Sequence, residues 1–193
     1  YINLKNSASF AGLRNPTFAI DFTMNWLNIE SPSSSQNISS QYINGVSFGF
    51  PIGKRFGAAF SVGPYTRIGY DITSPQIDPI LGNYNFTYAG EGGYNRATGG
   101  IGGMPIKNDE NQLMLGVQAN YYFGFSQTSR AVTDFVDDAT VTSSKMINRT
   151  NIKDLAVDFG ILYRRKLINK TWISAGLNFK PTTNISATNQ QLS

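Results

Sequence analysis

The chain of 193 residues and 21.2 kDa is long enough for one domain of ordinary size. It contains neither Cys nor His, which removes zinc and iron–sulfur sites, disulfide frameworks, catalytic thiols and the Ser-His-Asp triad. Charged residues make up 15%, against about 25% in average soluble proteins, while aromatics reach 13%.

The net charge of +4 comes with no block of four or more basic residues, so a nucleic-acid partner is not expected. The densest basic cluster, Arg164-Arg165-Lys166, reads either as a solvated turn or as a contact for lipid headgroups. No apolar run reaches the length of a membrane helix, and Tyr1-Ile2-Asn3-Leu4-Lys5 reads as interior sequence rather than a leader. The mean hydropathy of −0.23 is compatible with a membrane barrel, whose strands alternate apolar and polar residues.

Residues 1–16 precede the first strand, and period-two alternation governs most of 17–193. Phe18, Ile20, Phe22, Met24 and Trp26 share one face, with Ala19, Asp21, Thr23 and Asn25 on the other. Val46, Phe48, Phe50 and Ile52 continue the pattern, and after the turn Gly53-Lys54-Arg55 it runs unbroken from Phe56 to Ile72. A glycine-rich stretch intervenes before Leu113–Phe125, Leu155–Arg164 and Ile173–Lys180 alternate again. In these regular runs the apolar face carries no charge. The opposite face carries Asp21, Arg67, Asp71, Asp158, Arg164 and Lys180, together with all of the glycines.

Seven strands are predicted, at roughly 17–30, 37–52, 56–72, 84–106, 112–135, 140–165 and 170–190. Short connections at 53–55, 107–111 and 166–170 alternate with long ones at 31–37, 73–83 and 127–150, as the two rims of an outer-membrane barrel do. The predicted fold is therefore an all-β, antiparallel transmembrane β-barrel in the bacterial outer membrane. Single-chain barrels use an even number of strands, and an open edge cannot sit in hydrocarbon. The seven strands are thus expected to belong to a longer polypeptide or to pair with something at their edges. The competing reading is a soluble β protein with the apolar face inside. Strand length, loop asymmetry and the glycine-rich polar face favour lipid.

Tyr1–Leu13 with Thr17-Phe18-Ala19-Ile20-Asp21, the hairpin Phe50–Phe60 with Pro64–Tyr70, and Gly90-Glu91-Gly92-Gly93-Tyr94-Asn95 resemble a Bacteroidetes-type outer membrane family, itself similar to the FadL long-chain fatty acid transporters. The resemblance implies the first half of a 14-stranded barrel, with residues 1–16 as a hatch and 17–193 as partial barrel. It implies passive uptake of a hydrophobic small molecule, with outer membrane lipid around the wall. Ser7 departs from the family's Pro in the hatch motif. Some members of that family serve secretion systems and carry nothing. The alternative function is accordingly a non-transporting barrel subunit of a secretion or assembly complex with protein partners.

The candidate lumen residues are Asp21, Tyr65, Arg67, Asp71, Tyr122, Asp158 and Arg164. Arg67 and Asp71 lie four apart on the polar face, and could hold a ligand carboxylate or form a structural network with Asp21 or Asp158. A continuous apolar pocket lined by Tyr65, Tyr122 and Leu162 would favour transport. Gly99, Gly100, Gly102 and Gly103, with Pro105, are predicted to weaken a strand and permit a kink, since neither a P-loop nor a dinucleotide-binding pattern is present. Asp109-Glu110 and Asp137-Asp138 read as solvated loop charge or as a rim for Ca²⁺, without an EF-hand pattern. No metal site, cofactor or catalytic centre is expected, because adjacent carboxylates on a strand point to opposite faces.

Overall fold

The computed structural model describes residues 2–31, 34–78, 82–133, 144–167, 171–182 and 186–192. A 3₁₀ helix at Ser7–Gly12 is followed by β1 (Thr17–Ser31), β2 (Ser34–Ile52), β3 (Phe56–Asp78), β4 (Gly82–Lys107), β5 (Asn111–Thr133), β6 (Ser144–Lys166), β7 (Trp172–Phe179) and β8 (Ala187–Leu192). They form an 8-stranded sheet in the order β1-β2-β3-β4-β5-β6-β7, with β8 also on β6. This is the antiparallel meander that period-two runs joined by short turns predict. Among the described residues β1 pairs with β2 alone, so the ladder is not closed. No helix among them is long and apolar enough to cross a membrane.

The predicted run 170–190 is two strands. β7 pairs with the far end of β6, from Phe159↔Phe179 to Lys166↔Trp172. β8 pairs with its beginning, from Ile147↔Leu192 to Ile152↔Ala187. Between them lies Pro181, which has no N–H to give a ladder. The Asp137-Asp138 pair lies outside the described residues. The β1–β2 ladder shifts register between Asp21 and Phe22, because Asn44 is an extra residue between Ile43 and Gly45 on β2.

The chain divides into two compact units. The first comprises Tyr1–Gly63, Arg96–Tyr121 and Leu155–Thr183, and so contains the N-terminal segment and the turns at 53–55 and 108–110. The second comprises Pro64–Asn95, Tyr122–Asp154 and Asn184–Ser193.

In the first unit the two faces of the strands meet different surroundings. Phe18, Ile20, Phe22, Met24 and Trp26 on β1, Phe56 and Phe60 on β3, and Phe159 and Ile161 on β6 are exposed, Trp26 at 76%. The glycine-bearing face is the covered one. Ala8, Phe10 and Ala11 of the N-terminal segment are buried against it, with Met104 of β4 and Met114 of β5.

Candidate functional site

Residues 2–14 lie on the glycine-bearing face, which carries no side chain at the points where their backbone comes closest. A Cβ at Gly57 of β3 would fall on the Phe10 carbonyl, one at Gly116 of β5 on the Ser7–Ala8 peptide, and one at Gly160 of β6 on the Asn6 side chain. At Gly102 of β4 it would stand 2.7 Å from the Ser7 carbonyl oxygen. These glycines form a floor that admits another backbone at van der Waals distance. Phe10, at 0% exposure, anchors the segment, and burying such a ring contributes about 1.5–3 kcal/mol.

Asn6 ties the segment to the sheet. Its Oδ1 accepts from the Ala8 N–H at 3.0 Å, which caps the 3₁₀ helix. Its Nδ2 donates to the carbonyls of Ile161 on β6 at 3.1 Å and Leu177 on β7 at 3.3 Å. The Ser9 hydroxyl donates back to the Asn6 carbonyl at 2.7 Å.

Beside this contact lies a buried polar cluster. Asp158, 3% exposed, accepts from Gln118 Nε2 at 3.1 Å and Asn120 Nδ2 at 2.9 Å. Lys180 Nζ is 3.4 Å from the same oxygen, with its own side chain 58% exposed. Thr98 donates to Asn120 Oδ1 at 2.8 Å, and Gln118 Nε2 also reaches the Leu4 carbonyl at 3.3 Å. A carboxylate can stay buried here because two amide donors and a cation converge on it. Thr98, Gln118, Asn120 and Asp158 come from β4, β5 and β6 at one level of the sheet, so the cluster cross-links three strands and the N-terminal segment. It offers no nucleophile beside a general base, and its chemistry is structural.

Of the predicted lumen residues, Asp158 and Arg164 stand at this face. Arg164 holds its guanidinium 5.4 Å from the Trp172 ring centroid. Asp21 is exposed at the β1–β2 bulge. Tyr65, Arg67, Asp71 and Tyr122 belong to the second unit, where Tyr65 and Tyr122 meet edge to face at 5.0 Å; Arg67 and Asp71 are exposed. Asp158 takes Gln118, Asn120 and Lys180 as partners. Leu162 packs at the margin of the N-terminal segment in the first unit, and the two tyrosines with which it was expected to line a pocket belong to the second.

β4 runs as one strand from Gly82 to Lys107, through the residues where a kink was expected. Its glycines serve both faces. Gly100 and Gly102 pass under Phe10 and the Ser7–Ala11 backbone, while Gly99 and Gly103 lie beneath the exposed rings of Phe60 and Phe56. Pro105 helps line an apolar groove of about 580 Å³ on that outer face, with Phe56, Ile101, Leu115 and Val117.

Reasoning from the sequence missed Asn6, Thr98, Gln118, Asn120 and the part played by Lys180. The available signal was positional: Gln118 and Asn120 are carboxamides two apart on the glycine-bearing face of a long strand, next to Gly116.

A model of the BamG family matches residues 1–193. No curated protein and no solved structure matches the chain. The chain belongs to the BamG family. This match over the whole length overturns the resemblance to FadL-like transporters. Of the residues that carried that resemblance, Asn6, Phe10 and Gly57 are among those that seat the N-terminal segment on its floor. They report how a backbone packs against a strand face, and a transport activity does not follow from them.

Proposed function

We propose that this chain is a non-transporting, non-catalytic subunit of an outer-membrane assembly complex, held in the lipid by its apolar sheet face and working through contacts with partner proteins. Membership of the BamG family is the observation that carries this reading. The arrangement of the two faces supports it. Exposed Phe18, Phe22, Trp26, Phe56 and Phe60 suit hydrocarbon and interfacial surroundings better than water. In the first unit residues 2–14 lie packed on the glycine-bearing face, and the Asp158 cluster cross-links this segment to the strands. A scaffold needs such rigidity, whereas a conduit needs an open lumen.

Native mass spectrometry of the tagged chain, extracted from its own membrane in mild detergent, tests the proposal. The expected result is a stable complex with other proteins and no bound apolar small molecule. A chain recovered without protein partners and carrying an apolar ligand would defeat it. Recovery in the aqueous fraction without detergent would remove the membrane assignment as well.

A further inference from the structure

In the first unit, beside the turn at 53–55, a cavity of about 460 Å³ opens next to the end of the N-terminal segment. Four cations line it, Arg14, Lys54, Lys107 and Arg164, over a floor that includes Met104 and Met114. No carboxylate contributes to the wall. Each cation comes from a different element: Arg14 from the segment leaving the 3₁₀ helix, Lys54 from the β2–β3 turn, Lys107 from the end of β4, and Arg164 from β6.

Two of the four are held in place. Lys107 Nζ donates to the Lys54 carbonyl at 2.9 Å, and the Arg164 guanidinium lies over Trp172. The salt bridge between Lys180 and Asp158 involves none of them. Asp109 and Glu110, on the turn next to Lys107, are exposed and stay outside the wall. Four like charges around one cavity repel one another and raise a positive potential, which an incoming anion relieves.

Shape and side narrow the class of anion. Arg14, Leu13, Met114 and Arg164 also line an adjoining cavity of about 510 Å³, so the space is elongated, beyond what a single phosphate fills. Both cavities border the N-terminal segment, on the face opposite Phe56, Leu115 and the other exposed apolar side chains. A lipid lying against that outer face would hold its headgroup on the wrong side of the sheet. We infer that the Arg14–Lys54–Lys107–Arg164 cavity receives an acidic polypeptide segment of a partner protein. The inference rests on the reading of this chain as a complex subunit and adds to it the chemistry of one contact.

The test uses the full chain in detergent micelles with fluorescein-labelled hexaglutamate as probe, read by anisotropy at low ionic strength. The wild type should bind, and binding should weaken as salt rises. Arg14→Gln with Arg164→Gln should weaken it about tenfold or more, as loss of two charge-assisted contacts implies. The double variant Arg14→Lys with Arg164→Lys should stay within about threefold, and Lys153→Gln, on β6 in the second unit, should match the wild type. The cavity assignment falls if the wild type ignores the probe or if Lys153→Gln weakens it as much as the glutamine pair. It also falls if the glutamine pair abolishes capture by phosphatidylglycerol nanodiscs while leaving hexaglutamate unaffected, which would make the cavity a headgroup site. Native mass spectrometry separates this inference from the subunit reading. A wild-type chain that holds its partners yet ignores hexaglutamate loses the cavity assignment alone. One that binds hexaglutamate yet brings no protein with it loses the subunit reading.

Discussion

The two units are built from the same kind of strand and stabilised differently. Every fully buried apolar residue among the described ones, from Ala8 and Phe10 to Met104 and Met114, lies in the first unit, as do the buried polar groups of Thr98, Gln118, Asn120 and Asp158. In the second unit the strands hold aromatic and cation–π contacts instead. Tyr84 meets Phe86 at 5.3 Å, Phe86 meets Tyr88 at 6.2 Å, and the Arg149 guanidinium sits 4.2 Å from the Phe125 centroid. Tyr94 and Ser126 share a hydrogen bond of 2.8 Å. In the first unit residues 2–14 lie across a glycine-bearing strand face, and the close-packed residues gather there.

The sharpest way to break that contrast is to remove the anchor. Phe10→Ala should destabilise the first unit by about 3–5 kcal/mol, the usual result of truncating a fully buried ring. Urea unfolding in detergent would measure it, and proteolysis should begin within residues 2–14. An unchanged midpoint would mean that the N-terminal segment contributes nothing to stability. Gly116→Val attacks the same contact from the floor and should cost about 3 kcal/mol, at the upper end for overpacking, since its side chain would displace the Ser7–Ala8 peptide. Gly69→Ala in the second unit has open space around it and should change stability by less than about 1 kcal/mol. Equal effects at the two glycines would show that the floor is not a floor.

Asp158→Ala removes the acceptor of the buried Asn120 amide and one of the two acceptors of Gln118 Nε2, and should cost about 1–3 kcal/mol. Hydrogen exchange should quicken at residues 98, 118 and 120 and stay constant in the second unit. A small effect is also expected from Arg149→Ala, about 0.5–1 kcal/mol for one cation–π contact. A larger loss would indicate that the second unit depends on single contacts more heavily than its exposed surface suggests.

Much of the fold was legible because its signal is local. Alternation in Phe18–Trp26 and Phe56–Ile72 marks strands, Gly53-Lys54-Arg55 marks a tight turn, and β1 begins at Thr17 where the pattern does. Pro181 was visible too, yet splitting 170–190 into β7 and β8 required seeing that β6 offers partners at both ends. The site was harder to read. Arg67 and Asp158 share a face by parity, but parity says nothing about height along the sheet, and the two fall in different units. Gln118 and Asn120 looked like any polar residues on a polar face until Asp158 came to lie between them and Lys180.

What these 193 residues determined by themselves is a set of two-faced strands in order, with one face of the regular runs free of charge and the other carrying their glycines. Which face is open and which is covered was decided only in three dimensions, because a period of two is the same whether the apolar side meets hydrocarbon or a protein core. Ser7–Gly12 settled it by docking on the glycines, since a backbone can approach a strand that closely only where no Cβ stands in the way. With that face covered in the first unit, the aromatic face was left exposed.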